Sequence, residues 1–85
     1  MSIPVPKIIN KMKNSQSIGN RFEEIRAKEG ISRQRFAERI GCTTEFIRMI
    51  EHGTRTPKEP YILAVCYRFG VREKWLKEGK GKRKA

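Results

Sequence analysis

The sequence predicts an all-α domain of five short helices packed crosswise, and three observations carry that expectation. Apolar residues recur at helical spacing, a glycine closes each such stretch, and no segment gives a strand signal. The chain's 85 residues fit one small domain, which leaves a modest buried core and a thin stability margin.

Residues 1–16 open with IPVP, where alternating prolines forbid a regular helix, and continue with scattered Lys and Asn. They read as a flexible basic N-terminal arm, whose Ile8, Ile9 and Met12 can dock on the domain or on a partner. Ile18, Phe22 and Ile25 form the first helical stripe, with Ser17 as N-cap and Gly30 as the stop. Ser32 caps a second helix carrying Phe36, Ala37 and Ile40, which ends at Gly41. Thr43 caps a third, carrying Ile47 and Ile50 and closed by Gly53. Helices of about eight or nine residues are marginal alone, so these pieces need one another's apolar faces.

The fourth helix follows TRTPKEP, where Thr56, Pro57 and Glu59 resemble a capping box with proline at the first helical position. Pro60 conflicts with that register, and a start at Pro60 with Glu59 as an imperfect cap is the competing one. Either way Ile62, Val65, Cys66 and Phe69 make a buried stripe ended by Gly70. Val71, Trp75 and Leu76 continue as a short fifth helix before Gly79. The globular unit is therefore residues 17–79. The KGKRKA tail, residues 80–85, has no apolar residue except its last alanine and is expected to be disordered.

Charge narrows the partner class. Twenty Lys plus Arg stand against nine acidic residues, all Glu, for a formal net charge of +11. Three lysines and no acid give residues 1–16 a charge of +3, and four basic residues give 80–85 a charge of +4. Between them, thirteen basic and nine acidic residues leave +4 spread over a mixed-charge globular sequence. A polyanion is the natural partner, because each neutralised phosphate releases condensed counterion. From charge alone, a soluble cationic protein without such a partner stays open.

Cys42 and Cys66 lie in apolar stretches without CxxC spacing, and the single histidine leaves Cys and His too few for a four-ligand zinc site. Reduced, buried thiols in a cytoplasmic protein are expected, with no metal and no cofactor. No apolar run approaches the roughly 20 residues that span a bilayer, and no apolar leader precedes the domain. With no metal cluster, nucleophile–base pair or phosphate loop in view, enzymatic activity is not expected.

The central feature is the pair of short helices at about residues 32–52, broken only at Ile40–Gly41–Cys42. A turn that short holds two helices at a steep angle, so one can enter a groove while the other crosses the backbone. The pattern alone is weak, since many small bundles contain it. Twelve positions of GISRQRFAERIGCTTEFIRMIEHGTRTP sharpen it: Gly30, Ile31, Ser32, Phe36, Ala37, Ile40, Gly41, Ile47, Ile50, Glu51, Gly53 and Pro57. With IGNRFEEIR upstream and ILAVCYRFGVREKWLKEGKG downstream, residues 17–81 resemble the Cro/repressor-like helix-turn-helix family, in the version of small prophage regulators.

The resemblance implies a lambda-repressor-like fold and a DNA-binding transcriptional regulator, with the reading helix at Thr43 to Glu51. Its base-reading positions are Thr43, Thr44, Glu45, Arg48 and Met49. Arg48 suits guanine O6/N7, Glu45 cytosine N4, and Thr44 or Met49 a thymine methyl. Phosphate contacts fall to Ser32, Arg33 and Gln34, at a helix N-terminus, and to Arg55 and Lys58 beyond the reading helix. Ordinary solvated charge is the rival reading of each basic residue. Arg33 stands where the family commonly has glutamine, which exchanges a clamp on the reading helix for a phosphate contact. Phe46 is expected to pack on the second helix, with contact to thymine methyls as the alternative. His52 reads as a surface residue or phosphate donor.

Arg26 and Glu51 match positions that often form a partly buried ion pair between the first and third helices. Tyr67, Trp75 and Leu76 mark the usual dimer face, although core packing explains Trp75 and Leu76 equally well. The functional expectation is a repressor of prophage or mobile-element origin. It binds a pseudo-palindromic double-stranded operator as a homodimer at the nucleoid, in the cytoplasm of a bacterial or phage-infected cell. The alternative is an antitoxin or accessory interaction protein whose arm, residues 1–16, binds a protein partner. Nonspecific nucleic-acid binding through the basic flanks is a third reading.

Overall fold

A computed structural model describes residues 17–85, and the expectations for residues 1–16 lie outside it. The described residues form five helices: α1 (Ile18–Glu29), α2 (Arg33–Ile40), α3 (Thr44–His52), α4 (Glu59–Phe69) and α5 (Glu73–Glu78). Three start where a hydroxyl is available to cap them. Ser17, Ser32 and Thr43 each accept at 3.1 Å from the backbone N–H three residues on, those of Asn20, Arg35 and Phe46. Each cap satisfies one of the four first-turn donors that a helix leaves unpaired.

The fourth helix follows neither expected register. Lys58 is the N-cap without a side-chain bond, Glu59 opens the helix, and Pro60 sits in its first turn. Proline is tolerated there because a first-turn N–H has no intrahelical acceptor to lose. The ladder begins with Tyr61 and Ile62 donating to the Lys58 carbonyl, at 3.0 and 3.2 Å. Thr56 makes no capping box.

A single core joins all five helices. Phe22 and Ile25 of α1, Phe36 and Ala37 of α2, Ile47 and Ile50 of α3, Val65 of α4 and Leu76 of α5 are almost wholly buried. Phe36 is central, edge-on to Phe22 with ring centroids 5.8 Å apart and stacked on Phe69 at 5.0 Å. Offset and edge contacts of this kind add to the area term, because each ring's positive edge meets a negative face.

Two contacts set how α1 meets its neighbours. Gly19 faces the Ile50 carbonyl so closely that a Cβ there would lie 2.0 Å from the oxygen. Only glycine lets α1 and α3 approach that far. Arg21 is buried: its Nε donates to the Leu76 carbonyl at 2.8 Å and its Nη2 to the Lys77 carbonyl at 3.1 Å. Those carbonyls belong to the last turn of α5, the negative end of its dipole. Loss of water around Arg21 lowers its pKa, partly offset by Glu24. Hydrogen-bonded carbonyls take the place of that water.

The basic tail is ordered by backbone pairing, contrary to the expectation of disorder. Val71 and Lys84 form an isolated antiparallel bridge, with Arg72 N–H on the Arg83 carbonyl at 2.8 Å and Ala85 N–H on the Gly70 carbonyl at 3.0 Å. Arg72 Nε donates to the Lys84 carbonyl at 2.7 Å, and Arg83 lies 3.8 Å from Glu24. A missing apolar side chain rules out core burial, but these contacts use backbone and charged groups, which an apolar pattern does not register. Among the described residues no helix is long and apolar enough to cross a membrane.

Candidate nucleic-acid interface

The α2–turn–α3 unit presents the surface of interest. Gly41 takes φ 81° and ends α2, its N–H returning to the Ala37 carbonyl at 2.8 Å, and α3 begins at Thr44. A residue with a Cβ is strained in this left-handed region, so glycine makes the short turn inexpensive. α3 is then divided sharply by face. Ile47 and Ile50 are fully buried, while Thr43, Thr44, Glu45 and Arg48 are exposed and Met49 is half-buried.

Behind that face an ionic cluster locks the angle between the helices. Arg26 of α1 grips Glu51 of α3 through Nε at 2.8 Å and Nη2 at 3.2 Å, and its Nη1 reaches the Ile31 carbonyl at 3.3 Å. The hydrogen bonding that Arg26 donates to Glu51 is the main cause that raises the Arg26 pKa. Arg33 of α2 completes the cluster, its Nε 2.8 Å from Glu51 Oε1. Glu51 is thus buried between two guanidiniums, with its side chain 1% exposed. Arg33 therefore buttresses the third helix in place of standing free for a phosphate. The arginine makes this link between α2 and α3 through a charge-assisted contact to a buried carboxylate. With Nε committed, only its Nη groups are left for an outside anion.

Six of the other predicted residues line two hollows, while Thr44, Glu45 and Arg48 stand on the exposed face of α3 outside both. One is lined by Gly41, Cys42, Thr43, Phe46, Met49, Arg55, Lys58 and Tyr61, so two predicted base readers and two predicted phosphate contacts share one surface. Ser32 and Gln34 line the other with Arg35 and Glu38, at the start of α2. Phe46 packs on Tyr61 of α4, ring centroids 5.3 Å apart, and so braces α3 from the fourth helix, where the second was expected. His52 Nδ1 lies 3.0 Å from the Arg48 carbonyl, at the exposed end of α3. Arg48 and Glu45 pair with each other along the helix: Nε donates to Oε1 at 3.1 Å, and Nη2 pairs with Oε2.

Trp75 and Leu76 do not belong to a dimer face, being 9% and 0% exposed within the core. Tyr67 is 85% exposed on α4, with Leu63 one turn before it at 46%. Two structural residues escaped the sequence reading. Gly19 carried a usable signal, since a glycine inside a helical stripe marks close backbone approach. Arg21 carried none, being one more arginine in a basic chain.

Comparison with known proteins agrees with this geometry. A family model described as a helix-turn-helix domain matches residues 19–82. This chain belongs to the helix-turn-helix family. It is a DNA-binding domain of the kind found in transcriptional regulators. The match runs past residue 79 into the tail that pairs with the α4–α5 connection. An uncharacterized HTH-type transcriptional regulator, YgzD of Bacillus subtilis (strain 168), is 31% identical over 62 residues, covering 69% of this chain and 94% of that protein. The propionyl-CoA carboxylase regulator of Cereibacter sphaeroides is 32% identical over 53 residues, which is 62% of this chain but only 12% of that longer protein. No solved structure matches this chain.

Proposed function

We propose that the protein is a transcriptional repressor of prophage or mobile-element origin that reads a pseudo-palindromic operator as a homodimer. The observation that carries the proposal is the division of α3: Ile47 and Ile50 are fully buried while Thr44, Glu45 and Arg48 stand in solvent. Arg55 and Lys58 lie beside that face, in the hollow that also contains Thr43 and Met49. In this reading α3 enters the major groove, Arg48 and Thr44 meet base edges, and Arg55, Lys58, Ser32 and Gln34 hold the flanking phosphates. Tyr67 and Leu63, exposed one turn apart on α4, supply the apolar surface for a second copy.

One small domain reads few base pairs, so a dimer with half-sites about one helical turn apart supplies the missing affinity. Selection from random duplexes at near-physiological salt tests the whole reading. The expected outcome is an inverted repeat that Thr44→Ala combined with Arg48→Ala no longer prefers. An unchanged preference in that double variant defeats the groove assignment, and selection without any consensus defeats operator recognition.

A further inference from the structure

The two charged residues on the exposed face of α3 are not independent. Glu45 and Arg48 lie three apart on one helix, within the reach of neighbouring side chains. Arg48 Nε donates to Glu45 Oε1 at 3.1 Å, and Nη2 pairs with Oε2, so the carboxylate takes the side of the guanidinium fork. Their side chains remain 46% and 59% exposed, so the pair stands on the surface and is not part of the core. A guanidinium has five N–H donors in a rigid plane. Side-on engagement spends one on Nε and one on Nη2, and leaves both hydrogens of Nη1 and the second of Nη2. Those remaining donors form the fork's end, with the spacing to meet the N7 and O6 acceptors of guanine together.

We infer that Glu45 is a positioning residue for Arg48: it holds the guanidinium side-on so that the free end of the fork is presented to one guanine. Glu45 does not read a base of its own. The inference rests on α3 entering the major groove as proposed above, and it replaces the expectation that Glu45 accepts from a cytosine amine. Two consequences follow from the chemistry. A flexible arginine held in one orientation loses less rotamer freedom when it meets the base, so discrimination at that pair rises. The carboxylate also faces the polyanion, so it weakens binding to sequences that offer Arg48 no guanine.

The test is selection from random duplexes, with measured affinity for the selected site and for random duplex, using wild type, Arg48→Ala, Glu45→Ala and the double variant. Both side chains are exposed and outside the core, so the variants should fold. Arg48→Ala should relax preference at one G·C pair by about 5- to 150-fold, the range for a good bidentate contact. Glu45→Ala should relax preference at the same pair, by less, and should raise affinity for random duplex. The double variant should be no worse at that pair than Arg48→Ala alone. If Glu45→Ala relaxes a different pair, or the losses multiply, Glu45 is an independent reader and the inference falls. If no variant changes preference while wild type still selects a consensus, the groove assignment falls and this inference with it.

Discussion

Replacing Gly19 by alanine sets two effects of opposite sign against each other. Gly19 is the second residue of α1, so alanine there gains at most the ~1 kcal/mol by which it is favoured over glycine in a helix interior. Here the new Cβ would sit 2.0 Å from the Ile50 carbonyl oxygen and 3.1 Å from its carbon, both backbone atoms of α3. Backbone in a packed helix cannot swing aside as a side-chain tip can, so α1 and α3 must separate by about 1 Å. That movement loosens the core that Phe22 shares with Ile47 and Ile50 and stretches the Arg26–Glu51 pair. Overpacking costs about 1–3 kcal/mol, and with the backbone as the obstacle the upper end applies. The net expectation is a loss of about 2 kcal/mol, which lowers Tm by about 8–16 °C in a domain of this size. Thermal unfolding followed by circular dichroism reads it, with the exposed site Lys28→Ala as a control that should stay near wild type. A Gly19→Ala protein as stable as wild type, or more so, would refute the close approach of α1 to α3.

Three further outcomes follow from the same packing. Glu51→Ala should cost about 3–5 kcal/mol in urea unfolding, because it strands two guanidiniums around a buried site, whereas Arg33→Ala should cost about 1 kcal/mol or less, since Arg26 still holds Glu51. Equal losses from the two would mean that Arg33 is as essential to the cluster as the carboxylate. Leu76→Ala should cost about 2–5 kcal/mol as a core cavity, while Tyr67→Ala should stay within about 0.5 kcal/mol and instead weaken self-association in sedimentation. Burial is the cause that pushes up the Cys42 thiol, and the first cause for Cys66, so at any given pH each carries less thiolate than a free cysteine. Alkylation of the native protein at about pH 8 should therefore be slower than in denaturant and should accelerate as pH rises further. Alkylation as fast as in denaturant would contradict that environment.

The local grammar of the chain accounts for most of the fold. Ser17, Ser32 and Thr43 cap helices because a hydroxyl at that position satisfies an otherwise unpaired donor, a preference that operates within four residues. Apolar spacing in the same way marks Phe22, Phe36, Ile47 and Val65 as interior before any partner is known. The fourth helix shows where such reasoning gives out. Two local rules conflict at Pro57 and Pro60, and the start at Glu59 satisfies neither in full. The tail shows it again, since its order comes from backbone hydrogen bonds to residues 70 and 72 and no side-chain pattern announces them.

The chain's own pattern was enough for the helix count, the three hydroxyl caps and the core stripes, because each depends on neighbours within a turn or two. The tertiary structure alone decided which way Arg33 turns, that Trp75 and Leu76 are interior, that Gly19 touches the Ile50 carbonyl, and that Arg21 closes the end of α5. Those outcomes depend on groups 18 to 56 residues apart in the chain. A long cationic side chain reaches several acceptors from one backbone position, and the packed helices select among them.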